Sequence, residues 1–177
     1  MAILNRFPSL QENIRVYAVI AALIYGWSIL WLFWELPSWL YYLTIGEMLP
    51  VFAYALATNF LESLLILAAI NLCCFLLPKR WLRESFVARS FLLVSLGLGY
   101  LMYFASLLGK EDDYPAGLLV WSPVVFVVFF LLSILLDRVA SIRSLAENIA
   151  DRLTVFLYLT IPLSAISLLL VIARNAW

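Results

Sequence analysis

Residues 52–77 of the chain read FAYALATNFLESLLILAAINLCCFLL, a run of 26 mostly apolar residues. It is long enough to cross a bilayer, because the hydrocarbon core is about 30 Å thick and a helix rises about 1.5 Å per residue. Backbone amides in lipid must be hydrogen-bonded within their own segment, which favours a helix. One ionisable residue, Glu62, interrupts the apolar run. The stretch therefore predicts a transmembrane helix with a carboxyl group near its middle.

Four other stretches have the same length and apolar character. The five predicted spans are residues 16–36, 52–77, 86–108, 118–136 and 153–172. The longest piece of chain between or beside them has 16 residues, which is too short for a soluble domain. We therefore predict an all-α, polytopic integral membrane protein in which residues 1–177 form one transmembrane domain, a bundle of five transmembrane helices.

The composition supports this class and argues against others. Hydrophobic residues make up 66% of the 177 residues and charged residues 12%, whereas soluble domains have about 45–50% and about 25%. The 11 basic and 11 acidic residues balance, so the chain has no basic excess for nucleic acid. No cofactor or metal site is predicted, because histidine is absent and the only cysteines, Cys73 and Cys74, diverge on a helix.

The basic residues predict the orientation, since lysine and arginine concentrate on the cytoplasmic side of membrane proteins. Of the 11 basic residues, nine fall on one side of the predicted topology and two, Lys110 and Arg174, on the other. The nine are Arg6, Arg15, Lys79, Arg80, Arg83, Arg89, Arg138, Arg143 and Arg152. We expect a cytoplasmic N-terminus and an exoplasmic or periplasmic C-terminus.

The connection between the first two spans has an interfacial composition. Residues 36–51 hold Trp39, Tyr41 and Tyr42, and such side chains are enriched where membrane meets water. A belt of aromatic side chains at the interface fits this segment, with a short helix lying flat as one form of it. A re-entrant hairpin is the alternative, and it would need protein to cover its backbone.

Two further helical features lie outside the spans. Residues 137–152 place apolar side chains at helical spacing and have balanced charge. This predicts a short cytoplasmic amphipathic helix, and the balanced charge favours packing on protein over attraction to anionic lipid.

Ser9 and Glu12 have the spacing of a capping box, so the first helix is expected to begin near Leu10.

Small residues at helical spacing predict where helices pack closely. The predicted packing residues are Ala18, Ala22 and Gly26 in the first span and Ser95 and Gly99 in the third. Trp27, Trp31 and Trp34 form a separate strip, which we expect to face lipid or a partner. Residues 118–136 lack glycine and alanine, so the fourth span is expected to be peripheral.

The candidate site is an intramembrane polar group formed by Glu62, Asn59 and Ser63. Glu62 is the only ionisable residue deep in a span, and a charge at that depth costs about 2.5–3.5 kcal/mol on insertion scales. No basic residue lies at the same depth. We therefore expect a neutral or hydrogen-bonded carboxyl, with Tyr100 or Tyr103 as donors.

The leading functional hypothesis is a non-catalytic integral membrane protein that acts as an accessory or scaffold subunit. In the lipid bilayer it would pack against other membrane protein subunits or self-associate. The alternative is a small oligomeric channel or transporter component with Glu62 as an intramembrane proton or ion site. A lipid-modifying enzyme would need two polar groups facing one cavity, and helical spacing places Asn71 on the opposite side of the helix from Glu62.

Overall fold

The computed structural model describes residues 8–108 and 116–176, and within them every regular element is a helix, which confirms the all-α prediction. The elements are α1 (Leu10–Trp39), α2 (Ile45–Leu76), α3 (Lys79–Leu82), α4 (Phe86–Leu108), α5 (Ala116–Leu136), α6 (Ala140–Leu153), a 3-10 turn (Thr154–Phe156) and α7 (Leu157–Ala176). In this described part, five helical stretches are long and apolar enough to cross a membrane: α1, α2, α4, α5 and the continuous unit from α6 to α7.

The two longest helices begin at capped ends. The Ser9 hydroxyl accepts a bond from the Glu12 backbone N–H at 3.3 Å, and the Glu12 carboxylate accepts one from the Ser9 N–H at 2.7 Å. The predicted capping box is therefore confirmed, and α1 begins at Leu10. At the start of α2, the Glu47 carboxylate accepts from the Thr44 N–H at 2.8 Å. Each carboxylate satisfies backbone donors that the first turn of a helix leaves free.

Residues 36–51 form neither a separate short helix nor a re-entrant hairpin, because α1 continues to its end at Trp39 and α2 already begins at Ile45. The side chains of Tyr41 and Tyr42 are exposed, and their place at the membrane interface stays a prediction. The cap at the start of α2 and an edge-to-face contact between the rings of Trp39 and Phe52, 6.4 Å apart, stabilise these extended helix ends. A tight five-residue connection, 40–44, therefore joins two antiparallel helices.

The spanning helices contact one another in a row, in the order α7, α2, α1, α4, α5, and α1 also contacts α6, the 3-10 turn and α7. Helix α1 is central and buries 44% of its most apolar 18 residues, whereas α5 contacts mainly α4 and buries 6%. The peripheral position expected for the fourth span is thus confirmed. A row with α1 in the middle leaves one of its faces open between α2 and α4.

The predicted packing residues divide into closely packed and open positions. Ala18 is fully buried in a cluster that joins α1, α2 and α7. Ala22 and Ser95 are half-buried. The predicted close contacts at Gly26 and Gly99 are absent, since a Cβ atom added at either would meet no atom within 4 Å among the described residues.

The close approach on α4 lies two residues before Gly99. At Gly97, an added Cβ would lie 3.2 Å from the ring of Phe126 on α5. Ser95 and Gly99 are four residues apart and share one face of α4. Gly97 is two residues from each of them, and this is a turn of roughly 200°, because each residue turns a helix by about 100°. The face of α4 that meets α5 is therefore the opposite one.

The end of the bundle that holds the start of α1 is here called the basic end. Helix α6 packs there against α1 and α4, with Ala146 and Ala150 buried. The Arg15 Nε atom lies 3.0 Å from Asp151 Oδ1 and ties α1 to α6. The amphipathic helix thus packs on protein, in agreement with the sequence prediction.

A buried ion pair joins α4 to the end of α5. Arg89 Nε lies 3.0 Å from Asp137 Oδ2, and the two side chains are only 8% and 5% exposed. Arg89 Nη1 also donates to the Trp81 carbonyl at 2.9 Å. Arg89 is therefore buried within the bundle, although it lies near the end of a predicted span. It holds α3, α4 and α5 together.

Candidate functional site

The three residues of the predicted polar site lie on two different sides of α2. Asn59 and Ser63 are buried, whereas Glu62 is exposed. Helical geometry explains the division, because residues four apart share a face and Glu62 is turned about 100° from Ser63. The structure therefore brings Asn59 and Ser63 together and places Glu62 on another surface.

The inward side belongs to a polar seam, defined as Tyr17, Tyr25, Ser28, Asn59, Ser63 and Ser164. The Ser63 hydroxyl donates to Tyr17 Oη at 3.2 Å, and the Ser28 hydroxyl donates to Asn59 Oδ1 at 2.8 Å. Tyr25 Oη is hydrogen-bonded to Ser164 Oγ. These bonds join α1, α2 and α7 inside the apolar bundle, where the sequence pattern did not reveal a tyrosine–serine network.

The outward side presents Glu62 near the middle of the membrane. Glu62 is the eighteenth of the 32 residues of α2, about 2 Å along the axis from its midpoint at roughly 1.5 Å per residue. Its carboxylate has no hydrogen-bond or ion-pair partner among residues 8–108 and 116–176. Tyr100, expected as a donor, instead donates to the Leu118 carbonyl on α5 at 3.0 Å. Tyr103 is exposed and is not hydrogen-bonded to Glu62.

Glu62 lines a cavity of about 410 Å³ that opens on the side of the bundle between α2 and α4. Its other lining residues come from α1, α2 and α4 and are predominantly apolar. They are Ile24, Trp27, Ser28, Leu65, Ile66, Leu98, Leu101, Met102 and Ala105. The acid therefore faces an apolar space that is open toward lipid.

Two more cavities extend this space away from the basic end. One of about 460 Å³ is lined by residues that include Trp31, Trp39 and Ala55, and one of about 440 Å³ reaches Glu35. All three cavities share Trp27 and Ala105. Together they form one lateral groove along the open face of α1, and this name is used below for the three cavities.

The groove combines three kinds of lining. All three residues of the predicted tryptophan strip line it: Trp27, Trp31 and, at its outer end, the exposed Trp34. Small residues such as Ser28 and Ala105 leave room for a close approach. Glu62 supplies the only acid at mid-depth. Such a surface can bury an apolar chain or helix and can recognise a positive charge.

An unsatisfied polar atom lies behind this lining. Asn59 is 4% exposed, and its Nδ2 atom has no hydrogen-bond partner within the described chain. Its Oδ1 atom accepts from Ser28, whose side chain lines the groove. The Ser28 hydroxyl proton is thereby directed inward, and the oxygen lone pairs of Ser28 remain available to accept a hydrogen bond.

Asn71, a further polar residue of α2, lies away from the groove. Asn71 Nδ2 donates to Asn13 Oδ1 at 2.9 Å and so links α1 to α2 near the basic end. Cys74 packs in the apolar core beside Val16 and Ile70. These residues therefore serve the packing of the bundle and lie on a different side from Glu62.

Comparison with known protein families, with curated proteins and with solved structures finds no match for this chain. The class of the protein accordingly rests on its own helices. Five described helical stretches have the length and apolar character of membrane spans, so the chain is a multi-pass α-helical membrane protein.

Proposed function

We propose that this protein is a non-catalytic subunit of a larger membrane complex and that the lateral groove is the surface through which it packs against another membrane protein. One observation carries the proposal: Glu62 lies at mid-depth on an open face and has no partner within the described chain. A charged side chain there costs about 2.5–3.5 kcal/mol on insertion scales. Cover from a neighbouring protein would remove much of that cost.

The rest of the surface is consistent with this role. The outer parts of the groove are lined by exposed Trp31 and by Ala55 and Ala105, and small residues beside large ones are typical of contacts between transmembrane helices. Tyr17 and Tyr25 of α1 already form hydrogen bonds with α2 and α7. The groove lies where α1 is open between α2 and α4 and can take an external contact.

Extraction of native membranes with a mild detergent tests the proposal. We expect the protein to migrate in a complex larger than the single chain and to crosslink to a membrane protein before extraction. A chain that migrates alone, and that forms no protein adduct after crosslinking in intact membranes, would contradict a subunit role.

The second candidate is a small oligomeric channel or transporter component. It is favoured by the position of Glu62 in a cavity of about 410 Å³, because an intramembrane acid in a cavity is a feature of ion and proton paths. Flux of protons or cations into liposomes, compared between the parent protein and Glu62→Gln, tests it. Flux that is absent or unchanged in the variant would exclude this role.

The basic end is proposed to face the cytoplasm. The arginines at this end include Arg15, Arg83 and Arg89, and positive residues favour the cytoplasmic side. Reporter fusions to the C-terminus would be active outside the cytoplasm if this orientation holds. A C-terminal reporter that is active in the cytoplasm would indicate the opposite orientation.

A further inference from the structure

We propose that the lateral groove receives a transmembrane helix of a different polypeptide, and that a lysine or arginine on this helix pairs with Glu62. The inference rests on the proposed function, since it names the partner of the same surface. Three properties of the groove lead to it: its length, its small residues and the sign of its charge.

The length of the groove matches a helix better than a small ligand. Its lining on α1 runs from Ile24 to Trp39, which is about 22 Å along a helix that rises 1.5 Å per residue. The hydrocarbon core is about 30 Å thick. A compact ligand would fill one of the three cavities, whereas a helix packed along α1 would fill all of them.

Small residues along the groove permit the close approach of a helix backbone. Ala55 of α2 and Ala105 of α4 lie on opposite walls, and Ser28 lies on α1 between them. Gly99 precedes the lining residue Met102 by three positions, so the two share a strip of α4. The space beside Gly99 is open. Contacts between membrane helices form at such small side chains.

The acidic lining of the groove favours a cation on the occupant. Glu62 has no partner among the described residues, and Glu35 lies farther along the same groove, so both ionisable side chains that line it are acids. A lysine or arginine opposite Glu62 would pair with it and satisfy its oxygens. An apolar helix would instead bury the carboxylate without a partner, which is costly in a medium of low dielectric constant.

A second copy of this chain does not supply that cation. The sequence has no histidine, and none of its 11 lysines and arginines lies in the middle of a span. Arg89, which is the fourth residue of α4, is buried in its ion pair with Asp137. Two copies packed groove to groove would bring two carboxylates together, and like charges at one site repel. The occupant is therefore a different polypeptide.

Photo-crosslinking from the groove in native membranes tests this inference. The full-length protein carries benzoylphenylalanine in place of Leu101, which lines the groove beside Glu62. A control protein carries it in place of Val127, an exposed residue of α5 outside the groove. The crosslinked peptides are sequenced, and the yield at Leu101 is compared between the parent and Glu62→Gln, with an unchanged circular dichroism spectrum as evidence of folding.

The expected result is a crosslink from Leu101, and not from Val127, to a transmembrane segment of another protein with a lysine or arginine in its middle third. Glu62→Gln should lower the yield by roughly three- to tenfold, the range of one polar contact between membrane helices. Glu62→Lys combined with an acidic residue in place of the partner's basic residue should restore it.

The contrary results separate this inference from the proposed function. A crosslink to a second copy of the chain, to a foreign helix without a basic residue, or with a yield unaffected by Glu62→Gln overturns the inference but leaves a subunit role. Adducts with lipid alone at both positions overturn the inference and remove the support for the subunit role as well.

Discussion

The basic end of the bundle and the lateral groove differ in whether their carboxylates have ion-pair partners. At the basic end, acids from three parts of the chain each lie within 3.0 Å of an arginine nitrogen. The pairs are Glu12 with Arg83, Asp151 with Arg15, and Asp137 with Arg89. In the groove, Glu62 faces an apolar cavity and has no such partner within the described residues.

This difference indicates which contacts hold the chain together and which are left for other molecules. The paired acids join α1, α3, α4, α5 and α6 to one another, so their contribution is to the stability of the bundle. Glu62 joins nothing within the described chain, and its removal is expected to leave the bundle intact. Substitutions that break the ion pairs and substitutions of Glu62 should therefore differ in their effect on the free energy of unfolding.

The largest expected loss of stability is at the buried ion pair. Arg89→Met leaves the Asp137 carboxylate buried without its cation, and breaking a buried pair in this way typically costs about 3–5 kcal/mol. We expect the free energy of unfolding in detergent to fall by an amount in this range. Denaturant titration followed by circular dichroism measures it.

The double variant Arg89→Met/Asp137→Leu is the control for this effect. It removes both charges, and well-packed apolar residues can replace a buried pair with little loss. We expect it to regain most of the stability lost in the single variant. A single variant as stable as the parent would mean that the pair contributes nothing to the bundle.

A smaller loss is expected in the polar seam. Tyr25→Phe removes the hydroxyl that bonds Ser164 and the Leu56 carbonyl, and a polar contact between membrane helices is worth about 0.6–2 kcal/mol. Tyr103→Phe is the matched control, because Tyr103 is exposed and its hydroxyl has no partner among the described residues. Equal unfolding free energies for the two variants would show that the seam does not stabilise the bundle.

The smallest effect compares two glycines of α4. Gly99→Ala places a methyl group in open space and should stabilise the helix by up to about 1 kcal/mol. Gly97→Ala places it 3.2 Å from the Phe126 ring, which has to shift, so part of that gain is lost. We expect Gly97→Ala to unfold at a lower denaturant concentration than Gly99→Ala. The reverse order would place the α4 contact at Gly99, as the sequence spacing predicted.

Sequence reasoning succeeded where the signal was local. Span composition, the Ser9–Glu12 cap and the amphipathic pattern of α6 each depend on neighbours a few residues apart, and the structure agrees with all three. The extension of α1 to Trp39 was not predicted, because the enrichment of tryptophan and tyrosine at the membrane interface does not tell a helix end from a connection between helices.

The long-range pairings could not be predicted in this way. Arg89 and Asp137 are 48 positions apart, and no periodicity tells which acid meets an arginine near a span end. The separation of Glu62 from Asn59 and Ser63 was accessible in principle. The spacing of four puts Asn59 and Ser63 on one face and turns Glu62 away from it by about 60–100°. Which of these faces is open depends on the order in which the helices pack.

Glu62 is proposed to serve contact with another protein and not the fold of its own chain. Native gel analysis of mild detergent extracts, together with unfolding of the purified protein, tests this proposal for the parent, Glu62→Gln and the control Glu84→Gln, an exposed acid two residues before the start of α4. We predict that only Glu62→Gln migrates free of its complex, while all three proteins unfold at the same denaturant concentration. An intact complex in Glu62→Gln, or a destabilised Glu62→Gln chain, would contradict the account.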